Sequence, residues 1–72
     1  MAFDYDKLRG RIIERFRTQR EFARALQVSE RTLSLKLNNK IFFSQDEIKK
    51  ASELLNISLE EIQIYFFRKK VQ

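Results

Sequence analysis

The stretch TQREFARALQVSERTLSLKLNN, Thr18 to Asn39, decides the fold. It opens with Thr18 and has Glu21 three places on, the pattern in which hydroxyl and carboxylate satisfy the orphan backbone donors of a helix start reciprocally. A short helix over 19–26 follows. It breaks at Gln27 and Val28, and Ser29 caps a second short helix over 30–39. Ala23 is small enough to let the second helix approach closely, Val28 lies in the turn, and Leu33 faces back inward. Two helices built this way cross steeply around a small shared core.

Working outward, the same punctuation recurs. Ser44/Glu47 and Ser58/Glu61 repeat the capping box and start helices over about 45–55 and 59–68. A further helix over about 5–16 opens near Asp4, whose carboxylate suits the positive end of the helix dipole. Apolar residues keep a 3.6-residue period in each: Tyr5, Leu8, Ile12 and Phe16, with Ile13 beside them; Phe22, Ala23 and Leu26; Leu33 and Leu37; Ile48, Ala51, Leu54 and Leu55; Leu59, Ile62 and Phe66. Val28 and Ile57, single apolar residues between helices, are placed to plug the core. There is no Pro, and the one Gly is Gly10. No stretch alternates long enough for a sheet. The expectation is an all-α fold of five short helices forming one domain over residues 1–72.

Composition narrows the function. Without Cys or His there is no disulfide framework and no ordinary zinc site, so no metal or other cofactor is expected. No Gly-rich phosphate loop occurs, and the Ser and carboxylate pairs are explained by capping, so an enzyme is not expected. The N-terminus MAFDYDKLRG lacks the apolar stretch of an export signal, and no window approaches the length of a membrane span. A cytoplasmic location follows as the expectation. Net charge is +5, unevenly spread: residues 1–17 carry +2, 18–40 carry +3, 41–67 carry −3 and the tail Arg68–Lys70 carries +3. An anionic partner would meet the first forty residues and the tail.

The segment 18–39 resembles the helix-turn-helix of the lambdoid phage repressors and Cro proteins, within the wider Xre-type group. Thr18, Gln19, Glu21, Phe22, Ala23, Val28, Ser29, Leu33 and Ser34 stand in register with that motif. Chain length, helix number and basic tail are similar to the smallest Cro proteins. The resemblance implies a lambda-repressor-like domain acting as a sequence-specific transcriptional regulator, a Cro-like repressor in a phage, prophage or bacterial cell. It would bind double-stranded DNA as a homodimer on a palindromic operator, with helix 3 in the major groove. Two departures stand out. Gln27 occupies the turn position usually held by Gly, at a cost of about 1 kcal/mol if φ is positive. Leu37 replaces an acidic residue that pairs with helix 1, so a hydrophobic contact is expected there instead, with Ile12 as the natural partner.

Residue roles follow from the matched positions. Thr18 and Gln19 open helix 2, where a phosphate is favoured. Ser29, Glu30, Arg31, Thr32, Ser34 and Leu35 form the leading turns and outward face of helix 3. Arg31 suits a guanine edge, and serves equally as a phosphate contact or a solvated charge. Glu30 can accept from cytosine or act as a capping charge. Leu35 falls off the inward stripe and can meet a thymine methyl, or simply be an exposed Leu. Lys36, Asn38, Asn39 and Lys40 are candidates for the DNA backbone. Ile41-Phe42-Phe43 and Ile64-Tyr65-Phe66-Phe67 hold more apolar surface than one core stripe uses. Phe42, Ile64 and Phe67 are the candidate dimer interface, against a wide core contact. No small-molecule ligand and no membrane partner is expected. The competing reading is a protein-interaction module, an antirepressor or adaptor on the same fold.

Overall fold

The structure, a computed structural model, describes residues 2–71. The chain forms α1 (Asp6–Phe16), α2 (Gln19–Leu26), α3 (Glu30–Leu37), α4 (Gln45–Leu54) and α5 (Ile62–Phe66), the last entered through a 3-10 turn at Leu59–Glu61. The fold class is all-α, as expected. Among the described residues the extended structure is confined to one isolated antiparallel bridge, Phe3 to Lys69.

The starts of α2, α3 and α4 obey one local rule. Thr18, Ser29 and Ser44 adopt extended backbone, and their hydroxyls accept from the N–H three residues on. At Ser44 the box closes, with Glu47 accepting from the Ser44 N–H at 2.8 Å. The Glu61 carboxylate likewise accepts from the Ser58 N–H at 3.2 Å. At α3, α4 and the 3-10 turn an apolar residue precedes the cap and another lies four places after it: Val28 and Leu33, Phe43 and Ile48, Ile57 and Ile62. These are hydrophobic staple positions, which set the angle at which the chain enters the helix. All six belong to the core cluster or pack against it.

α2 touches α1, α3 and α4 and is the hub of the fold. Its Phe22, Ala23 and Leu26 are buried, as are Leu8 and Ile12 of α1, Leu33 and Leu37 of α3, and Ala51 and Leu55 beside them. An aromatic chain closes the far side: Tyr5 meets Phe43 edge-on at 5.6 Å between centroids, and Phe43 meets Phe66 at 5.5 Å.

Two core assignments change. Leu59 is 87% exposed, although the periodicity puts it on the inward stripe of the last helix. Leu59 lies in the 3-10 turn ahead of α5, where the α-helical period does not hold, and it stands in solvent while Ile57, one residue ahead of the Ser58 cap, is buried. Tyr65 is buried instead. Ile13 also faces solvent, half exposed.

Backbone turns are made without glycine. Arg17, Gln27, Asn39 and Asn56 all have positive φ. Gln27 is left-handed at φ 66 and ψ 38, so the corner between α2 and α3 has the geometry anticipated for a missing Gly. Lys50 donates to the Gln27 Oε1 at 2.6 Å and ties this corner to α4. No helix among the described residues is long and apolar enough to cross a membrane.

Candidate functional site

The two capped helices α2 and α3 present the face to which the sequence points. Thr18 Oγ1 accepts from the Glu21 N–H at 3.1 Å. Gln19, the first residue of α2, is partly buried, and Thr18 beside it is exposed. Ser29 Oγ accepts from the Thr32 N–H at 3.0 Å and donates to the Thr32 hydroxyl at 2.8 Å, so both hydroxyls are engaged in starting α3. Glu30 is exposed and 3.6 Å from Arg20, a contact between solvated side chains that contributes little. Arg31 and Lys40 are exposed, and neither enters an ion pair among the described residues. Ser34 and Leu35 are partly covered. Leu35 stands outside the core cluster, on the outer side as its spacing implies.

Lys36 is the principal correction. As a candidate for the DNA backbone it should reach solvent, but it is 7% exposed. Its Nζ donates to a Glu47 carboxylate oxygen at 2.8 Å and to the Phe42 carbonyl at 2.9 Å, and lies 5.7 Å from the centre of the Phe43 ring. A buried ammonium needs this set of partners, because desolvation without them would be prohibitive. Burial pushes the Glu47 carboxyl up. The hydrogen bonds from Lys36 and the Ser44 N–H, with the Lys36 charge, outweigh burial and hold it below its ordinary value of 4.5. Lys36 thus locks α3 to the start of α4 and has no free donor face for a partner.

The two asparagines after α3 are also largely committed within the fold. Asn38 Nδ2 donates to the Ser34 carbonyl at 2.8 Å, and its Oδ1 accepts from Arg9 at 3.1 Å. Arg9 donates as well to the Leu37 carbonyl at 3.0 Å. A base from α1 therefore does meet the end of α3, but it satisfies a helix-terminal carbonyl in place of a carboxylate. Leu37 itself is buried in the cluster that contains Ile12, in keeping with the expected hydrophobic contact. Asn39 accepts from the Phe3 N–H at 2.8 Å and donates to the Phe3 carbonyl at 2.9 Å. Phe3 pairs on its other side with the tail, through Asp4 N–H to Arg68 O at 2.6 Å and Lys70 N–H to Ala2 O at 3.2 Å. The Asn39 amide stands where a third strand's peptide would, and it fastens both termini to the end of α3. Side-chain pairing at this distance in sequence leaves no local pattern. A left-handed Asn after a helix was the available hint.

The candidate dimer residues lie on the surface. Phe42 is 76% exposed, and Ile64 and Phe67 are nearly half exposed. Phe67 packs edge-on against Phe3 at 5.9 Å between centroids. The outer face of α3 therefore has one long free cation at its start, Arg31, and one just beyond its end, Lys40, with Thr32, Ser34, Leu35 and the exposed Asn38 between them.

Over its full length the chain is similar to a solved structure, the modulator of repression (MOR) of the temperate bacteriophage TP901-1 from Lactococcus lactis. The two are 47% identical, with 100% of this chain and 97% of that one covered and a TM-score of 0.82. The similarity is thus to a phage regulatory protein. Comparison with curated proteins finds no match. Residues 1–69 match the family described as a protein of unknown function (DUF739), and the chain belongs to that family.

Proposed function

We propose that this chain is a regulator of repression of the temperate-phage kind, acting by docking its helix-turn-helix face on a protein of the repression machinery. The observation that carries the reading is the whole-chain similarity to a protein titled modulator of repression. The chemistry of α3 supports protein contact over base reading. A base-reading helix needs long polar side chains free to meet base edges. Here Lys36 is buried in an ion pair, and Asn38 and Asn39 bond within the fold. Between Arg31 and Lys40 the outer side carries Thr32, Ser34 and Leu35, each partly covered, and Asn38, exposed but already bonded to Ser34 and Arg9. Such a face suits a protein surface with an acidic rim. In this mechanism the partner is a repressor, and binding alters its occupancy of the operator.

A second reading, direct operator binding by a dimer, is favoured by the net charge of +5 and by the free cations Arg31 and Lys40 flanking α3. In it Thr18, Gln19, Ser29, Arg31 and Leu35 keep their DNA roles, and Phe42, Ile64 and Phe67 pair two subunits.

Two titrations of the purified chain decide between these readings, one on a random duplex pool at low and moderate salt and one on the purified repressor of the same phage. The expected result is repressor binding that weakens by more than about tenfold in Arg31→Glu/Leu35→Ser, with no duplex enriched. Enrichment of a two-fold-symmetric duplex, lost in Arg31→Ala and steeply salt dependent, would establish the second reading instead.

A further inference from the structure

A second surface of the molecule is built differently. An open groove of ≈ 560 Å³ runs between α4 and the segment that follows it. This size falls within the range of about 300–1,000 Å³ typical of binding pockets. Ile48, Ser52, Ile57 and Ile62 line it and are at least partly buried. Ser52, the one polar residue of these four, donates its hydroxyl to the Ile48 carbonyl at 2.7 Å, so it makes no demand on an occupant. Leu59 and Phe67, both exposed, border the groove on the α5 side. A Leu standing 87% in water beside an apolar trough is surface that gains by being covered.

The α4 side is polar and ordered. Gln45, Lys49 and Glu53 recur every four residues and so form one stripe on α4. Eight residues at 1.5 Å rise make that stripe about 12 Å long, or a little over two helical turns. Along it stand an amide, a cation and an anion. Among the described residues neither Lys49 nor Glu53 joins an ion pair.

We propose that this groove takes an amphipathic helix of a partner protein, two turns of it in contact. The helix lays an apolar i, i+3, i+4, i+7 face on the Ile48–Ile57–Ile62 surface, with an acidic residue toward Lys49 and a basic one toward Glu53. Charge and shape select this occupant. A nucleic acid has nothing to bond on an apolar floor, and a wall of mixed sign does not attract a polyanion. A bilayer is flat and does not fill a trough. A second copy offers Ile13 alone on α1, the adjacent pair Ile41 and Phe42 between helices, and Ile64 with Phe67 at the end of the five-residue α5, none of which is an apolar helical face two turns long. The inference rests on the reading that the chain works through protein contacts, and it adds a surface separate from the outer face of α3.

The test is a display selection on the full chain with helical peptides of about 14 residues, Leu, Ile or Phe at i, i+3, i+4 and i+7, and random elsewhere. Enriched peptides should shift the amide resonances of Ile48, Ser52 and Phe67 and leave those of Arg31 and Thr32 in place. Their binding should fall by at least about tenfold in Leu59→Ser/Phe67→Ser, and Lys49→Glu/Glu53→Lys should invert their charge preference. No enrichment, binding indifferent to these variants, or a solution dimer dispersed by Leu59→Ser would each overturn the proposal. The repressor titration is read separately on the same variants. Repressor binding without peptide binding removes the groove proposal alone. Peptide binding without repressor binding removes the function reading and leaves the groove.

Discussion

Replacing Lys36 by Met keeps the aliphatic stem and deletes the charge. It leaves the Glu47 carboxylate without its cation and the Phe42 carbonyl without its Lys36 donor. Breaking a fully buried pair from one side costs about 3–5 kcal/mol. The Glu47 side chain is 23% exposed, so water recovers part of that charge. We therefore expect about 2–3 kcal/mol, the lower part of the range for a buried pair and below it. At about 4–8 °C per kcal/mol for a domain of this size, the midpoint should drop by roughly 8–24 °C. Urea titration followed by circular dichroism measures the loss directly. Lys36→Met/Glu47→Gln should return to within about 1 kcal/mol of the wild type, because Gln still accepts from the Ser44 N–H and no charge is stranded. The pH dependence gives an independent check. The folded carboxyl of Glu47 titrates below its ordinary 4.5, so its contribution is present above that pH and is lost as pH falls through the depressed value. Lys36→Met should flatten this acid limb. A loss below about 0.5 kcal/mol, the worth of an exposed pair, would refute the assignment of Lys36 to the interior.

Three further outcomes follow from the same geometry. Gly10 sits mid-helix in α1, exposed, with nothing within 4 Å of an added Cβ, so Gly10→Ala should stabilise by about 0.5–1 kcal/mol in a thermal melt. Asn39→Ala removes both hydrogen bonds to Phe3, and hydrogen exchange should show the Asp4 and Lys70 amides losing protection while the amides of α2 keep theirs. Ser44→Ala opens the capping box of α4 and should cost about 0.5–2 kcal/mol by urea titration, with Ser44→Gly milder.

The polar reach of α3 bears directly on function. Two short helices meeting at a sharp corner hold the second, α3, at the surface of a small core, and the fold itself does not say what that helix meets. In this chain three of the four polar residues from 36 to 39 and just beyond, Lys36, Asn38 and Asn39, serve the fold. They hold the start of α4, Arg9 of α1 and, through Phe3, the two termini against the end of α3. Lys40 alone among those four stays exposed and unpaired. The same residue types at the same spacing would read as a phosphate clamp in a sequence, and only their bonding separates the two roles.

Local rules were legible in the chain as written. Hydroxyl caps with acidic partners mark helix starts because their chemistry acts within four residues. The 3.6-residue apolar period marks the buried stripes because one helix face must leave water. The left-handed turn at Gln27 is what the resemblance to the repressor and Cro motif implies, since that position usually holds Gly. Tertiary structure decided the rest. Lys36 and Glu47 are eleven residues apart and Asn39 and Phe3 thirty-six, and no local pattern says that such groups will meet. Leu59 stands outside the core because its segment is a 3-10 turn, where a 3.6-residue period does not apply. The groove beside α4 likewise exists only once α4 and α5 are packed. Sequence dictates what each segment does with its own backbone and its water-averse face. Which side chains are left free for a partner is settled only when the segments come together and consume one another's polar groups.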